Sequence, residues 1–477
     1  MNIHIQNISR DSIVDIFTLL SLQNLITIGQ VCHYFRFIVK QSKWPHVINI
    51  DNYSISIEDI QKKYNFDCYN LSKIKKSITN TSFRNCRYLI FSFCFTLSDS
   101  LMYYFANCET INLSHCKSVT DIGIKYLSKC HNINLTYCDL ITDAGVKYLR
   151  NCYKLNLSGC KLVTDASIKY LGKCHSLNLS NCQSVTDASI KYLGKCHRLN
   201  LYNCQSVTDA SVKYLGKCHI LNLSNCNLVT DASIKYLGKC YKLNLCNCNS
   251  VTDASIKYLG KCHNLNLSWC KTITYEGVKY LGKCHNLNLH RCTTVTDASV
   301  KYLGKCYILN LSACSLVTDS GVKYLGRCYE INLSNSVMLT DAGIKYLGRC
   351  HSLKLCYCEQ ITGYMLRYLS TCKKINLSYC RLLSDTDIKY LGNSDILILS
   401  FCNSITDNSV KYLGKCRILI INNCHLITNK CIPYIKKCND LYMYNCANVD
   451  NNYITKYSLR GSPLSPGIFR NPKDKIF

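Results

Sequence analysis

Thirty-seven of the 477 residues are cysteines, a residue type whose thiolate binds metals, forms disulfides and acts as a nucleophile. One cysteine column recurs every 22 residues from Cys94 to Cys446, with Ser336 as its exception. A second column lies eight residues before the first and is interrupted only at Ser394. Structural zinc sites use tight pairs such as C-x2-C, whereas successive cysteines here are 8 and 14 residues apart. The spacing therefore argues against a metal site and favours thiols that pack as small buried hydrophobes.

A ring-bearing residue follows the second cysteine column, and imidazole at this position could ligate a metal or act as a base. Tyrosine replaces histidine at residues 153, 241, 307 and 329, which favours ring packing over ligation or catalysis. No nucleophile, base and orienting residue form a distinct set outside the periodic pattern, so the sequence disfavours an enzyme, and we expect no cofactor. The histidines of this column are His131, His175, His197, His219, His263, His285 and His351.

Lysine and arginine outnumber the acidic residues by 57 to 29, which gives a formal charge of +28. Two lysine columns contribute much of it, one beginning at Lys125 and the other running from Lys173 to Lys305. A basic surface favours anionic partners, and it also keeps an apolar array soluble. Because no aromatic base-stacking module accompanies the lysines, we expect a solvated surface and disfavour nucleic acid as a partner.

A repeated strand must hold these columns. The segment from Cys174 to Cys182 reads CHSLNLSNC and is similar to the L-x-x-L-x-L-x-x-N/C segment of leucine-rich repeats, with cysteine in place of the first leucine. That segment implies a short strand in which Leu177 and Leu179 point inward and the alternating polar side chains point outward. Asn178 belongs to an asparagine column whose side-chain amides can hydrogen-bond from strand to strand.

The residues between successive strands predict a short helix. Thr164 and Asp165 supply an N-cap and a negative charge in the first turn, and Gly172 ends the helix. Ile168 and Leu171 are three residues apart and face the core together. With about 17 repeats of 22 residues, we predict an α/β leucine-rich-repeat solenoid with parallel strands on its concave face and short helices on its convex face.

The first fifty residues lack the 22-residue period. They carry two apolar helical stripes, and within the second the segment Val31-Cys32-His-Tyr-Phe35-Arg36 is followed by Trp44 eight residues later. This pattern resembles an F-box, a small helical module. The proline usual near the start of that module is absent, since Ile8 and Ser9 stand there.

A cysteine-containing leucine-rich array after an F-box is typical of the F-box/leucine-rich-repeat family, which the chain resembles from Ile8 to Cys446. The homogeneous repeats look most like those of the F-box/leucine-rich-repeat proteins of giant DNA viruses of amoebae. We therefore predict four segments. They are an F-box-like helical module at 1–50, a linker and N-terminal cap at 51–85, a leucine-rich-repeat array at 86–459 and a basic disordered tail at 460–477.

The resemblance implies the substrate-recognition subunit of a ubiquitin ligase, in which the F-box docks a Skp-type adaptor and cullin while the repeats hold the target protein. An equally direct reading of the residues is a non-catalytic scaffold that sequesters a protein or an anionic polymer without ligase assembly. The resemblance implies that six residues lie in or near the adaptor contact, although some of them would serve the core of the module instead. They are Ile13, Ile16, Leu20, Val31, Cys32 and Trp44.

The segment after Met1 lacks the basic and apolar blocks of a signal peptide, so we expect a cytoplasmic or nuclear protein, in the host cell if the protein is viral. The apolar stretch at 12–29 carries Asp15, Gln23 and Asn24 and reads as amphipathic helix, so we expect no membrane association.

Comparison of the repeats separates the scaffold from the positions that vary. Variable residues lie on the predicted strands and immediately before the first cysteine column, and two groups of them suit a protein target because Trp, Tyr and Arg dominate binding energies. One group is Trp269, His290 and Arg291, and the other is Tyr357, Tyr379 and Phe401. Nearby Lys354 and Lys374 would suit an acidic target.

Overall fold

The computed structural model describes residues 86–450 continuously, together with residues 13–14, 35, 38, 48–49 and 68–72. The chain divides into two compact units, Met1–Leu243 and Asn244–Phe477. Both units are built from the strand and short helix that the repeat predicts, so the alternation of the two elements is confirmed.

Parallel strands form the sheet of the first unit, and from the strand Tyr88–Ile90 onward each strand residue pairs with the one 22 positions later, as Ser176 does with Arg198. The sheet begins before residue 86 with two strands at shorter steps, since Ile48 pairs with Tyr69 and Cys68 with Tyr88. The first of these lies in the segment for which the sequence predicts helices. The strands are β1 (Ile48–Asn49), β2 (Cys68–Asn70), β3 (Tyr88–Ile90), β4 (Thr110–Asn112), β5 (Asn132–Asn134), β6 (Lys154–Asn156), β7 (Ser176–Asn178), β8 (Arg198–Asn200) and β9 (Ile220–Asn222).

The second unit repeats this arrangement with the same step, as in the pairing of Glu330 with Ser352. A further strand, β10 (Lys242–Asn244), lies at the boundary of the two units. The strands of the second unit are β11 (Asn264–Asn266), β12 (Asn286–Asn288), β13 (Ile308–Asn310), β14 (Glu330–Asn332), β15 (Ser352–Lys354), β16 (Lys374–Asn376), β17 (Ile396–Ile398), β18 (Ile418–Ile420) and β19 (Asp440–Tyr442).

Most helices are single α-helical turns of four residues. In the first unit the α-helices are Asp121–Ile124, Asp143–Val146, Asp165–Ile168, Asp187–Ile190, Asp209–Val212 and Asp231–Ile234, with 3-10 turns at Asp99–Phe105, Lys125–Leu127, Lys147–Leu149, Lys169–Leu171 and Lys191–Leu193. In the second unit the α-helices are Asp253–Ile256, Tyr275–Val278, Asp297–Val300, Asp319–Val322, Asp341–Ile344, Asp407–Val410 and Ile432–Ile435, with 3-10 turns at Leu366–Leu369, Ile388–Leu391 and Asn429–Cys431.

The core lies between the strands and the helices. Leu177 and Leu179 are 1% and 0% exposed, and Ile168 and Leu171 are fully buried, as their spacing predicts. Burial of each such side chain contributes about 1.5–3 kcal/mol. A buried column that recurs in successive 22-residue repeats therefore supplies most of the stabilisation.

Most of the threonine N-caps are held by an aspartate of the preceding repeat, as Thr186 shows. The side chain of Thr186 accepts a hydrogen bond from Ala188 N, which makes it the predicted type of N-cap. The carboxylate of Asp165 accepts hydrogen bonds from Thr186 N at 2.9 Å and from Thr186 Oγ1 at 2.6 Å. Ser189 Oγ donates to the same carboxylate at 2.5 Å. The aspartate column therefore links neighbouring repeats, beyond its predicted role in the first turn.

The predicted role of the asparagine column is wrong, and that of Gly172 is confirmed. Asn178 Oδ1 accepts from Ser180 N at 3.0 Å within its own turn, and it does not hydrogen-bond from strand to strand as predicted. Gly172 follows the last helical residue with φ −62, a conformation that does not itself require glycine. A Cβ at Gly172 would lie 2.6 Å from the carbonyl oxygen of Tyr192, and close approach of the next repeat is therefore what requires glycine.

The cysteine columns are buried, and all cysteines in the described part of the chain are free thiols. Cys160 Sγ donates to Leu135 O at 3.1 Å and Cys182 Sγ donates to Leu157 O at 3.2 Å. Burial raises the pKa of Cys160 to about 12 and that of Cys182 to about 11. Burial therefore suppresses the thiolate form that would bind a metal or attack a substrate, and the thiols pack as predicted.

The column of histidine and tyrosine rings forms stacks within each unit, as predicted. Ring centroids are 4.6 Å apart both between His175 and His197 and between His197 and His219. In the second unit, Tyr307 and Tyr329 stack at 4.5 Å. A ring that packs face to face with its neighbours serves the scaffold, whether it is imidazole or phenol.

Candidate functional site

A left-handed residue closes the turn after each strand, immediately before the first cysteine column. Its φ lies between 54° and 70° in every described repeat, and we call it the left-handed position. Its backbone N–H donates to a carbonyl of the next repeat, as Asn181 N does to Tyr202 O at 2.9 Å. Because this hydrogen bond recurs along the sheet, the scaffold imposes the conformation on whatever residue stands there.

Side chains differ in how well they tolerate this conformation. Asparagine and glycine adopt it readily, whereas other residues pay about 1–2 kcal/mol. The left-handed position holds asparagine in four consecutive repeats, from Asn181 to Asn247. Asparagine also stands there at 335, 423 and 445, glycine at 159 and alanine at 313, and the other repeats hold a ring-bearing residue or arginine. A large side chain in this position bears a conformational cost that the backbone does not require, which makes these repeats candidates for binding.

The C-terminal group predicted from the sequence occupies three consecutive left-handed positions. Tyr357 and Tyr379 stack with centroids 4.1 Å apart, and Tyr379 and Phe401 stack at 4.2 Å. Tyr357 is 41% exposed, so the outer face of the stack is available to a partner. Burial, followed by the neighbouring Tyr357 phenol, raises the pKa of Tyr379, so the hydroxyl stays protonated and able to donate a hydrogen bond.

The two lysines predicted beside this stack differ in their surroundings. Lys354 Nζ lies 3.4 Å from Glu330 Oε1, so its charge is partly compensated within the protein. Lys374 follows in the next strand, where it pairs in register with Ser352 and Ile396. The pKa of the Asp395 carboxyl is lowered mainly by its hydrogen bond with Arg417 and further by the Lys374 charge, so Lys374 is partly compensated as well.

An apolar cluster on the strands next to the aromatic stack escaped the sequence analysis. It replaces the polar, outward-facing residues of other repeats, and each of its side chains is at most 9% exposed. The signal was present in the sequence, since the asparagine column that returns at Asn376 gives way to isoleucine at 398 and 420. The members of this cluster are Ile396, Ile398, Ile418, Ile420 and Tyr442.

The second predicted group is also brought together. The guanidinium carbon of Arg291 lies 4.4 Å from the ring centroid of Trp269, and both residues occupy left-handed positions. The His290 ring meets the Trp269 ring edge-on at 6.0 Å, and its Nδ1 lies 2.7 Å from Ser312 Oγ. Burial is the main cause that lowers the pKa of His290 and the Arg291 charge adds to it, despite the opposing hydrogen bond in which the backbone carbonyl of Ser312 is the acceptor.

A third group of rings in left-handed positions lies in the first unit, and the sequence analysis did not single it out. Phe93 and His115 stack at 4.3 Å, and His115 and Tyr137 stack at 5.1 Å. The next left-handed position is Gly159, where an added Cβ would lie 2.4 Å from the Tyr137 ring. The absence of a side chain at Gly159 leaves space for the Tyr137 ring, so the last ring of the stack packs against the backbone of Gly159.

The predicted adaptor contact falls almost wholly outside the described residues. Ile13 is described, lies in a helix and is 3% exposed. The predicted tail at 460–477 also lies outside the described residues. The remaining adaptor residues outside the described part are Ile16, Leu20, Val31, Cys32 and Trp44.

The described part of the chain contains neither a metal site nor a helix that could cross a membrane. No three histidine, cysteine or acidic side chains there converge in a way that could hold a metal ion. Within the same residues, none of the helices combines the length and the apolar character needed to span a bilayer.

Comparisons with known proteins address the fold. The family model described as Leucine Rich repeat matches residues 263–282. No curated protein is significantly similar to the chain. Among solved structures, the TLR13–ssRNA13 complex aligns with a TM-score of 0.51 and 15% identity over 84% of this chain and 65% of that chain. The chain thus spans less than two thirds of that structure.

Other solved structures align with lower scores. An internalin from Listeria monocytogenes gives a TM-score of 0.45 and 17% identity over 69% of this chain and 93% of that chain. The complex of Rad7 and Elc1 in yeast gives 0.43 and 18% identity over 70% of this chain and 86% of that chain. The repeat match, the alignment at 0.51 and the strand-and-helix geometry together confirm the predicted architecture, and the chain has the leucine-rich-repeat fold.

Proposed function

We propose that this chain is a non-catalytic substrate-recognition subunit of a Skp-cullin-F-box-type ubiquitin ligase. Its repeats bind a target protein, and its first fifty residues dock the adaptor. The observation that carries the binding role is the retention of aromatic and arginine side chains in the left-handed position, where the backbone favours asparagine or glycine.

The chemistry of these side chains favours a protein target. Tyrosine, tryptophan and arginine dominate binding energies in protein interfaces, and the two aromatic residues bury much area at little cost in conformational entropy. The stack from Tyr357 to Phe401 offers an aromatic surface with two hydroxyl groups, whereas the isoleucine cluster on the neighbouring strands is itself buried. Trp269 with Arg291 offers a smaller anchor of the same kind in the same unit.

The adaptor role rests on the F-box resemblance at Val31-Cys32-His-Tyr-Phe35-Arg36 and Trp44. A module with two apolar stripes has more apolar surface than a pair of helices can bury alone, and that surface favours docking onto a partner. A docking module joined to an array with exposed anchors would hold a target near the ligase.

The adaptor role is tested with the full chain, a purified Skp-type adaptor and isothermal titration calorimetry. We expect binding that Val31→Glu combined with Trp44→Ala abolishes. Tyr379→Asn is the matched control, since it changes the target surface and should leave adaptor affinity unchanged. Absence of binding by the well-folded wild-type chain would refute the ligase assignment and leave a sequestering scaffold as the function.

The target role is tested by cross-linking in cells with a photoreactive residue at position 379, followed by identification of the captured protein. We expect one dominant target whose ubiquitination by the reconstituted ligase is lost in the Tyr357→Asn, Tyr379→Asn, Phe401→Asn variant. Ubiquitination that survives this triple change would place the target elsewhere on the repeats.

A further inference from the structure

The helices of the second unit border a basic groove of about 1190 Å³, which we call the helix-side groove. Six successive repeats line it, and the first five each supply two cations and one glycine. The cations form two rows that follow the stack of repeats. The first row is Lys257, Lys279, Lys301, Lys323 and Lys345, and the second is Lys261, Lys283, Lys305, Arg327 and Arg349.

Carboxylates within the protein leave the positive charge of this groove almost uncompensated. Among the described residues, Lys279 is the one groove cation with a carboxylate within 4 Å, that of Glu276. The aspartates at the helix starts accept hydrogen bonds from the next repeat, as Asp297 does from Thr318 N and Oγ1 at 2.8 and 2.7 Å. The carboxylates closest in sequence therefore serve the scaffold.

The floor of the groove brings like charges together. A Cβ at Gly304 would lie 2.2 Å from the carbonyl oxygen of Tyr324, and one at Gly326 would lie 2.3 Å from that of Tyr346. Glycine thus allows successive repeats to approach closely on the side of the helices. Two cations per repeat at this close approach repel one another, and a regularly charged anionic polymer relieves that repulsion.

The tyrosines of the groove are already engaged. Lys301 Nζ lies 5.0 Å from the centroid of the Tyr302 ring, and Lys323 Nζ lies 5.1 Å from that of Tyr324. Lysine is depleted from protein interfaces, so two rows of cations form a poor surface for a protein partner. The same lysines remain available as donors to phosphate oxygens.

We propose that the helix-side groove binds the phosphate backbone of a nucleic acid without reading its sequence. Phosphates follow one another at a regular spacing and carry one charge each, which suits two periodic rows of cations. Base stacking on aromatic rings is not needed for this mode, so the lack of a stacking module does not exclude it. This role is separate from adaptor and target binding, and it reverses the sequence-based expectation that disfavoured nucleic acid.

The test is fluorescence anisotropy with the full chain, a labelled 30-nucleotide single strand of mixed sequence and its duplex, at several salt concentrations. The variant is Lys283→Gln, Lys305→Gln, Arg327→Gln, Arg349→Gln. Its control removes four cations from the strands by Lys154→Gln, Arg198→Gln, Lys242→Gln, Lys374→Gln. Thermal melts verify that both variants fold.

We expect the groove variant to lose at least tenfold in affinity at constant salt, with the control within about twofold of wild type. Removing four phosphate contacts should reduce the slope of log affinity against log salt by about 3 for a single strand. Equal losses in both variants would overturn the proposal, because binding would then follow the net charge alone. Tighter binding of poly-glutamate than of nucleic acid of equal charge, or no binding of nucleic acid, would overturn it as well.

Discussion

The repeats that carry Asn181, Asn203, Asn225 and Asn247 and those that carry Tyr357, Tyr379 and Phe401 use one backbone in two ways. The left-handed φ is 56–61° in the first set and 58–64° in the second. In the first set the side chain suits the conformation, and Asn203 Nδ2 donates to Asn181 Oδ1 at 2.8 Å. In the second set rings stack instead. The difference shows that all these repeats share one backbone conformation, whereas the side chain at the left-handed position can differ from repeat to repeat and take on a separate role.

The substitution with the largest expected effect removes an aspartate of the scaffold in each region and tests whether the same hydrogen bonds hold both. Asp187 and Asp385 each accept hydrogen bonds from the threonine N–H, the threonine hydroxyl and a serine hydroxyl of the next repeat. We expect Asp187→Ala and Asp385→Ala each to lower the free energy of unfolding by about 3 kcal/mol, measured by native-state hydrogen exchange. The matched Asp→Asn variants should lose less because one acceptor remains. A large loss at one site only would show that the two regions are held differently.

A second test exchanges the residues of the left-handed position. Asn203→Tyr should cost about 2 kcal/mol, because the ring is strained there, lacks ring neighbours and loses the Asn181 hydrogen bond. Tyr379→Asn should change the stability by less than about 1 kcal/mol, because relief of strain offsets the loss of two stacking contacts. Urea denaturation of both variants measures this asymmetry, and effects of equal size and opposite sign would contradict it.

A third, smaller effect concerns the cysteine column next to the aromatic region. Ser336 is 1% exposed, and its hydroxyl has no hydrogen-bond partner, whereas Cys160 at the equivalent position donates to a carbonyl. We expect Ser336→Cys to raise the free energy of unfolding by about 1 kcal/mol, since a buried unsatisfied hydroxyl is costly. Ser336→Ala is the control and should gain less. A loss of stability on Ser336→Cys would mean that the column is shaped differently in this repeat.

The smallest expected effect is a difference in pH dependence between the histidine part and the tyrosine part of the ring column. Burial is the main cause that lowers the pKa of His175, His197 and His219 below the ordinary 6.5, so the fold prefers the neutral rings. Their stabilisation is complete above pH 6.5 and is lost as the pH falls through the lowered values. Between pH 7 and pH 5 we expect hydrogen-exchange protection to fall severalfold around this stack and less around Tyr307 and Tyr329. His197→Tyr should reduce the sensitivity; an unchanged response would contradict this origin.

Much of the fold follows from the sequence because the repeat states it many times over. Alternation of Leu177 and Leu179, the Thr-Asp start of the helix and the ring column all predict what the structure contains. The two predicted groups of anchor residues also meet, since residues 22 apart are neighbours in any such stack. The isoleucine cluster was missed because its signal is the end of the asparagine column. A search for residues that recur in every repeat does not detect the place where a column stops.

The sequence by itself determined the period, the two elements of each repeat, the buried columns and the side chains that vary between repeats. Only the tertiary structure decided what each polar residue does, because hydrogen bonds depend on atoms that the period merely brings close. It assigned Asp165 to the next repeat, Asn178 to its own turn and Gly172 to close packing. It also revealed that Tyr357, Tyr379 and Phe401 stand in a left-handed conformation, a property of the backbone that no list of residue types records.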